Sequence, residues 1–477
     1  MKKLISLTLL TLVTYQNFSQ VRQDIIIEGK SEYHIVKDPL VLQKLEDWQD
    51  LKFGLFMHWG TYSQWGIVES WSLSSEKHDF IIANRPESLH PDYEQYKKDY
   101  KNLQRTFNPV AFNPENWVEA AKDAGMKYVV FTTKHHDGFC MFDTKTTDYK
   151  ITSLKCPFHV NQNSDVTKAI FNTFQKENFM IGAYFSKPDW NSEYYWWPYF
   201  ATPDRNANYD PLNYPERWQK FKEFTYNQIE ELMTDYGKVD ILWLDGGQVR
   251  PSRNNQDINM PGIAEMARKN QPGLIVVDRL HTGPFENYLT PEQHIPENAL
   301  PFPWESCITM GTSWSYKFND DFKTSRELVH ILVDIVAKGG NFLLNVGPGP
   351  HGDFDPVVYE RLKEIGSWMK VNGEAIYSTR AVKPFKYENI CLTRAKNTNT
   401  VYAIYLENEQ QKGLPSEMEI KGISGDKKTK ISMLGKNVNL KWRNTDLGII
   451  VGIPENVRKL LPCEYAWTVK ISDAVIQ

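Results

Sequence analysis

Seven short, continuously apolar runs, each stopped abruptly by polar residues or glycine, constrain this chain more than any other feature. They fall at residues 51–60 (LKFGLFMHWG), 127–133 (KYVVFTT), 180–186 (MIGAYFS), 239–247 (VDILWLDGG), 274–278 (LIVVD), 304–309 (WESCIT) and 341–346 (NFLLNV). Between them lie helix-patterned segments near 117–124, 166–177, 216–236, 258–269, 324–337 and 356–371. Runs without polar alternation are strands buried on both faces, and alternation with helices implies a parallel sheet covered by helices. Seven or so such units predict an α/β fold closed into a TIM-like (β/α) barrel. An open doubly wound sheet is the alternative, but no glycine-rich phosphate loop follows the first strand.

From about Thr379 the texture changes to short alternating segments at 400–405, 418–423, 430–434, 438–442 and 448–453, separated by Asn, Gly, Asp and Lys. This predicts a small antiparallel β-sandwich domain over 379–477, after a catalytic barrel over 20–378. Residues 1–19 carry Lys2-Lys3, an apolar run from Leu4 to Val13 and a polar end. That is the shape of a secretory signal peptide, too short to span a membrane, and it implies export to the periplasm or the exterior. No Cys follows the run to suggest a lipid anchor. The five cysteines are scattered and odd in number, forming neither a disulfide framework nor a zinc spacing; only Cys140 and Cys156 suggest a pair. A net charge of -4, from 55 basic and 59 acidic residues, offers nothing to a nucleic acid. The 15 Trp and 24 Tyr suit a protein that stacks sugar rings on aromatic planes.

Polar and aromatic groups collect where the runs end: His58 and Trp59, His135-His136-Asp137, Tyr184, Trp243 and Asp245, Arg279, Glu305 and Asn345. In a parallel barrel all strand C-termini share one rim, so groups distant in sequence converge there. Asp245, the last side chain before Gly246-Gly247, reads as a catalytic nucleophile; the plainer reading is a carboxylate capping the next turn. His135-His136-Asp137 invites a metal, but adjacent strand residues point to opposite faces and no HxH or HExxH accompanies them. Neutral imidazoles exchanging hydrogen bonds with hydroxyls fit better than a metal. Glycoside hydrolysis needs two carboxylates, one ionised and one kept protonated. Glu305, behind Trp304, is the first choice for the acid, and Glu292, in the Pro-flanked loop TPEQ, the second. Glu286 and Glu297 read as solvated loop acids.

These stretches resemble the α-L-fucosidases of glycoside hydrolase family 29: FGLFMHWG at 53–60, TTKHHDGF at 132–139, LWLDGG at 242–247, PWESC at 303–307 and GGNFLLNVGP at 339–348. The resemblance runs from about Trp48 into the C-terminal β-domain. It implies a retaining exo-hydrolase that removes terminal α-L-fucose from glycans through a covalent glycosyl-enzyme intermediate, without cofactor or metal. It places the nucleophile on Asp245 and sugar-hydroxyl ligands on His58, His135 and His136. Tyr184, Trp243, Arg279 of the Asp278-Arg279 pair and Trp71 fall on further substrate-binding positions, Trp71 within a stretch (VESWS) of unusual spacing. Family members use a loop acid or a strand acid, so Glu292 and Glu305 both stay open. Trp243, Trp314 and Phe342 are candidates for an apolar wall against the fucose methyl. The expected partner is a fucosylated glycan; neither nucleic acid nor a membrane span is expected.

Overall fold

The computed structural model describes residues 33–74, 92–409 and 412–476; the segment read as a signal peptide lies outside them. The seven runs become seven parallel strands: β1 (Phe53–Met57), β2 (Tyr128–Lys134), β3 (Met180–Ser186), β4 (Ile241–Asp245), β5 (Ile275–Asp278), β6 (Glu305–Thr309) and β7 (Asn341–Val346). Their order in the sheet is β5-β4-β3-β2-β1-β7-β6, every pairing parallel. Between the edge strands lies an irregular, Pro-rich stretch, 281–303. On one side the amide of Asn287 bonds Val276 O in β5; on the other, the amides of Glu305 and Cys307 bond Leu289 O and Pro291 O. Residues 285–293 thus bond both edges and close the ring as an eighth, irregular wall. Prolines at 284 and 291 remove donors that a regular strand would need.

Two apolar layers follow from strand alternation. Inward side chains, among them Phe56, Tyr128, Tyr184, Trp243, Val277, Cys307 and Leu343, pack on one another inside the barrel. Outward ones such as Leu55, Val129, Leu244 and Phe342 pack with the surrounding helices.

The structure adds a helix before the first strand. α1 (Pro39–Leu51) is started by Asp38, whose carboxylate accepts from the Leu40 amide, with Pro39 opening the first turn. Val41, Leu45 and Trp48 form a single stripe that joins the interior cluster. Trp48 stacks on Tyr288 at 4.1 Å and meets Tyr128, the first residue of β2, edge-on. α1 therefore plugs the end of the barrel where the strands begin, leaving the other end as the open rim.

The remaining barrel helices are α2 (Tyr93–Asn102), α3 (Pro114–Asp123), α4 (Val166–Lys176), α5 (Pro215–Thr234), α6 (Met260–Asn270), α7 (Ser325–Ala337) and α8 (Pro356–Asn372). Beyond α8 a five-stranded antiparallel sheet and a three-stranded one share a single apolar core, which makes the sandwich. The segment expected as a strand at 438–442 makes an isolated bridge from Asn439 to Ser432, and its regular strand runs from Trp442 to Asn444. All five cysteines are free thiols, so the Cys140–Cys156 pair does not form. Among the described residues no helix is long and apolar enough to cross a membrane.

Candidate active site

The rim is organised around Asp245, the final residue of β4. Gly246 follows at φ +90°, where a Cβ would come within 2.2 Å of the Pro188 ring, so the turn after Asp245 accepts only glycine. Trp243 and Asp245, two residues apart, share the inward face of β4. One carboxylate oxygen of Asp245 accepts from the Tyr184 hydroxyl at 2.8 Å, and the other from Arg279 Nη1 at 3.1 Å. Burial on its own would raise the Asp245 carboxyl. Arg279 and then His136 outweigh it, holding the group well below the usual carboxylate range. Asp245 is therefore anionic across the neutral range.

Arg279 also donates through Nη2 to Glu292 and through Nε to Thr290 Oγ1 at 3.0 Å. A single guanidinium, fixed by the closing wall, thus holds both carboxylates, one on each arm. Glu292 keeps 23% of its side chain exposed and Asp245 17%, so both face the open rim.

The three histidines stand opposite. Burial lowers His58 and His136 to about 4 and His135 well below its usual value, so all three are neutral at pH 7. Each has its Nδ1 engaged by the scaffold: His58 with Asn345 Oδ1 at 2.7 Å, His135 with Ser70 Oγ at 2.6 Å, His136 with Ser186 Oγ at 2.5 Å. Ser186 donates its own proton to Pro188 O, so Nδ1 of His136 is the donor and Nε2 offers a lone pair to the cavity. Ser70 also accepts from the Asp137 amide, which fixes the hydroxyl that engages Nδ1 of His135. The pair turns both Nε2 atoms toward neighbouring hydroxyls. Trp71 stands edge-on to His136 at 5.2 Å, and Trp314 lies 5.1 Å from His58. His58, Trp71, His135, His136, Tyr184, Trp243, Asp245, Arg279 and Glu292 are therefore brought together.

Glu305 is not among them. It opens β6 where Asp245 closes β4, and it is fully buried inside the barrel beneath Trp243. Its carboxylate accepts from Tyr128 at 2.7 Å and from Trp243 Nε1 and Tyr288, each at 3.3 Å. The residues PWESC read as a strand end, whereas the strand starts at the glutamate. Phe342 is also misplaced as a wall for the site: alternation on β7 sends Leu343 and Asn345 inward and Phe342 outward, where it stacks on Phe53. Glu286 is not a solvated loop acid; it is 4% exposed, accepts from the Leu280 amide, and burial raises it to about 8.

Sequence reasoning missed Glu69, Ser70, Ser186 and Thr290. Glu69 is the most consequential: a buried acid two residues before Trp71, its Oε1 accepting from the Ser315 amide at 2.7 Å. Burial raises it to about 8, with the charge of Glu292 adding to the effect. A lone acid between Val68 and Ser70 gives no periodic signal, and only its closeness to Trp71 hinted at it.

A metal is the other use for such a cluster, since ligand atoms of His135, His136 and Asp245 lie within 4.8 Å of one another. A divalent ion there would face the Arg279 guanidinium, a cation already seated on Asp245.

The comparisons agree with this geometry. A family model described as alpha-L-fucosidase matches residues 21–374, and one described as the alpha-L-fucosidase C-terminal domain matches residues 383–472. The tissue α-L-fucosidase of Mus musculus is 29% identical over 457 residues, covering 90% of this chain and 92% of its own. The plasma α-L-fucosidase of Homo sapiens is 28% identical over 471 residues, covering 92% of each. Among solved structures, α-L-fucosidase isoenzyme 1 from Paenibacillus thiaminolyticus matches with a TM-score of 0.73 at 28% identity, over 91% of this chain and 99% of that one. A Bacteroides thetaiotaomicron α-L-fucosidase of family GH29, trapped as a covalent intermediate with 2-fluoro-fucosyl fluoride, shares the fold with a TM-score of 0.71 at 23% identity, over 92% and 98% of the two chains. With a neutral histidine cluster, an anionic strand-end aspartate and a second rim carboxylate in a barrel matched along nearly its whole length, this chain belongs to the α-L-fucosidase family of glycoside hydrolases.

Proposed function

We propose that the protein is a retaining exo-α-L-fucosidase in which Asp245 is the nucleophile and Glu292 the acid/base. One observation carries the assignment: Asp245 and Glu292 share the two arms of Arg279 at the open rim, and no other described acid bonds that guanidinium. A terminal fucose lies with its hydroxyls on His58, His135, His136 and Trp71, and Trp243 and Trp314 wall the methyl. Asp245, kept ionised by Arg279, attacks the anomeric carbon. The incoming sugar displaces Glu292 from Arg279, and Glu292 delivers a proton to the departing oxygen as general acid. The same residue, now a carboxylate, takes a proton from the water that hydrolyses the glycosyl ester. Glu69, neutral by burial, serves as a further hydroxyl ligand.

Hydrolysis of an aryl α-L-fucoside by Asp245→Asn tests the nucleophile: turnover collapses while the thermal melt stays that of the wild type. An Asp245→Asn variant with near wild-type turnover sinks the reading. Export is part of the same proposal, supported by the charged and apolar pattern of residues 1–19. The intact mass of the secreted protein checks it, with a mature chain expected to begin near Gln20.

A further inference from the structure

Glu305 is a buried carboxylate that the reaction above does not use, and its surroundings connect it to the nucleophile. Trp243 carries a single polar atom, Nε1, and it donates to Glu305. The two hydrogen bonds on Asp245 come from Tyr184 and Arg279, one to each oxygen. Both donors pack on the same indole: the Tyr184 ring stacks on Trp243 at 5.3 Å, and the Arg279 guanidinium lies 5.0 Å above it. Beneath, Tyr128 donates to the other oxygen of the Glu305 carboxylate, Tyr288 shares Oε1 with the indole, and Trp48 of the α1 plug stacks on Tyr288. We infer that Glu305 is a positioning residue: it fixes the Trp243 indole, and the indole fixes both side chains that hold the Asp245 carboxylate. Burial brings Glu305 to about 7, so its neutral form is populated at working pH, and a glutamine mimics that form. The inference rests on Asp245 as nucleophile.

The test is steady-state kinetics on an aryl α-L-fucoside for Glu305→Gln, Glu305→Leu, Trp243→Phe and the Glu305→Leu/Trp243→Phe pair. Glu305→Gln keeps an acceptor for the indole and loses less than about threefold in kcat. Glu305→Leu lets the indole shift and loses on the order of 10²-fold in kcat, the cost of a misplacement near 1 Å. KM moves little, because the histidine ligands are untouched. Trp243→Phe removes the N–H and gives a comparable loss, and the pair is no worse than either single variant, since one contact cannot be broken twice. Added azide restores none of them. Multiplying losses in the pair overturn the inference, as does a Glu305→Gln loss as deep as that of Glu305→Leu and reversed by azide, which would make Glu305 the acid/base. If Glu305→Leu does not fold, Trp243→Phe alone decides, and a wild-type kcat there contradicts the inference. Asp245→Asn in the same assay isolates the underlying reading: an active variant rejects the nucleophile and leaves the Glu305–Trp243 coupling to be read separately.

Discussion

The rim and the interior of this barrel each hold glutamate within reach of the same aromatic column, yet the two environments assign them opposite chemistry. At the rim Glu292 is partly exposed and paired to Arg279, which also holds Asp245. Inside, Glu305 is fully buried and accepts only neutral donors, so burial raises it where Arg279 lowers Asp245. On the proposed reading, a strand-end carboxylate is made reactive by sharing a fixed cation and an open face, while one beneath the indole serves as a bracket.

The comparison breaks most visibly at Asp245. Asp245→Asn is expected to lose on the order of 10⁴-fold or more in kcat, the scale on which covalent nucleophiles contribute. Glu292→Ala follows with a loss of about 10²–10⁴-fold on natural substrates, smaller on an aryl fucoside whose leaving group needs little protonation. Rates measured across leaving groups of graded acidity check this, and a loss independent of leaving group contradicts it. Arg279→Met removes the charge that outweighs burial at Asp245. The acidic limb of the kcat/KM profile should then move up by about 1–3 pH units, because protonating the nucleophile abolishes attack.

The interior acid makes its own smaller mark, on stability. Glu305 is raised in the folded state, to about 7, so between its unfolded value near 4.5 and pH 7 the folded protein binds the extra proton. Its contribution is fully present below that window and is lost as pH rises through it. Relative to wild type, Glu305→Gln should therefore melt higher at pH 8 than at pH 5, by differential scanning fluorimetry; an offset constant with pH goes against the account. Chelation with EDTA is the smallest effect expected, namely none on kcat, because Arg279 supplies the cation beside Asp245.

Much of this was legible in the sequence, and the failures are instructive. The seven strands, their parallel order and most rim residues follow from apolar runs that stop at polar residues. The helix pattern near 117–124 becomes α3, which starts at Pro114 with the Asn113 side chain accepting from the Glu115 amide. The place of Glu305 on its strand was not legible, because a run of buried residues does not say at which end its one acid sits: the strand begins at the glutamate rather than ending near it. The closing wall, 285–293, has no periodicity to read, since prolines and a two-sided pairing replace a regular ladder. α1 was readable, with Asp38-Pro39 and apolar residues at 41, 45 and 48, but its polar remainder masked the stripe. Ser70 and Ser186, which hold the histidine Nδ1 atoms, have no signature apart from their contacts.

The most direct measurement is the anomeric configuration of any fucosyl azide formed from an aryl α-L-fucoside by Glu292→Ala, Glu305→Gln and Glu69→Gln in the presence of azide. Azide replaces the base-activated water and attacks the glycosyl-Asp245 ester from the face the aglycone left. The account predicts α-L-fucosyl azide, with turnover restored, from Glu292→Ala alone. Rescue confined to Glu305→Gln or Glu69→Gln, or a β-configured product from Glu292→Ala, would contradict the pairing of Asp245 with Glu292 across Arg279.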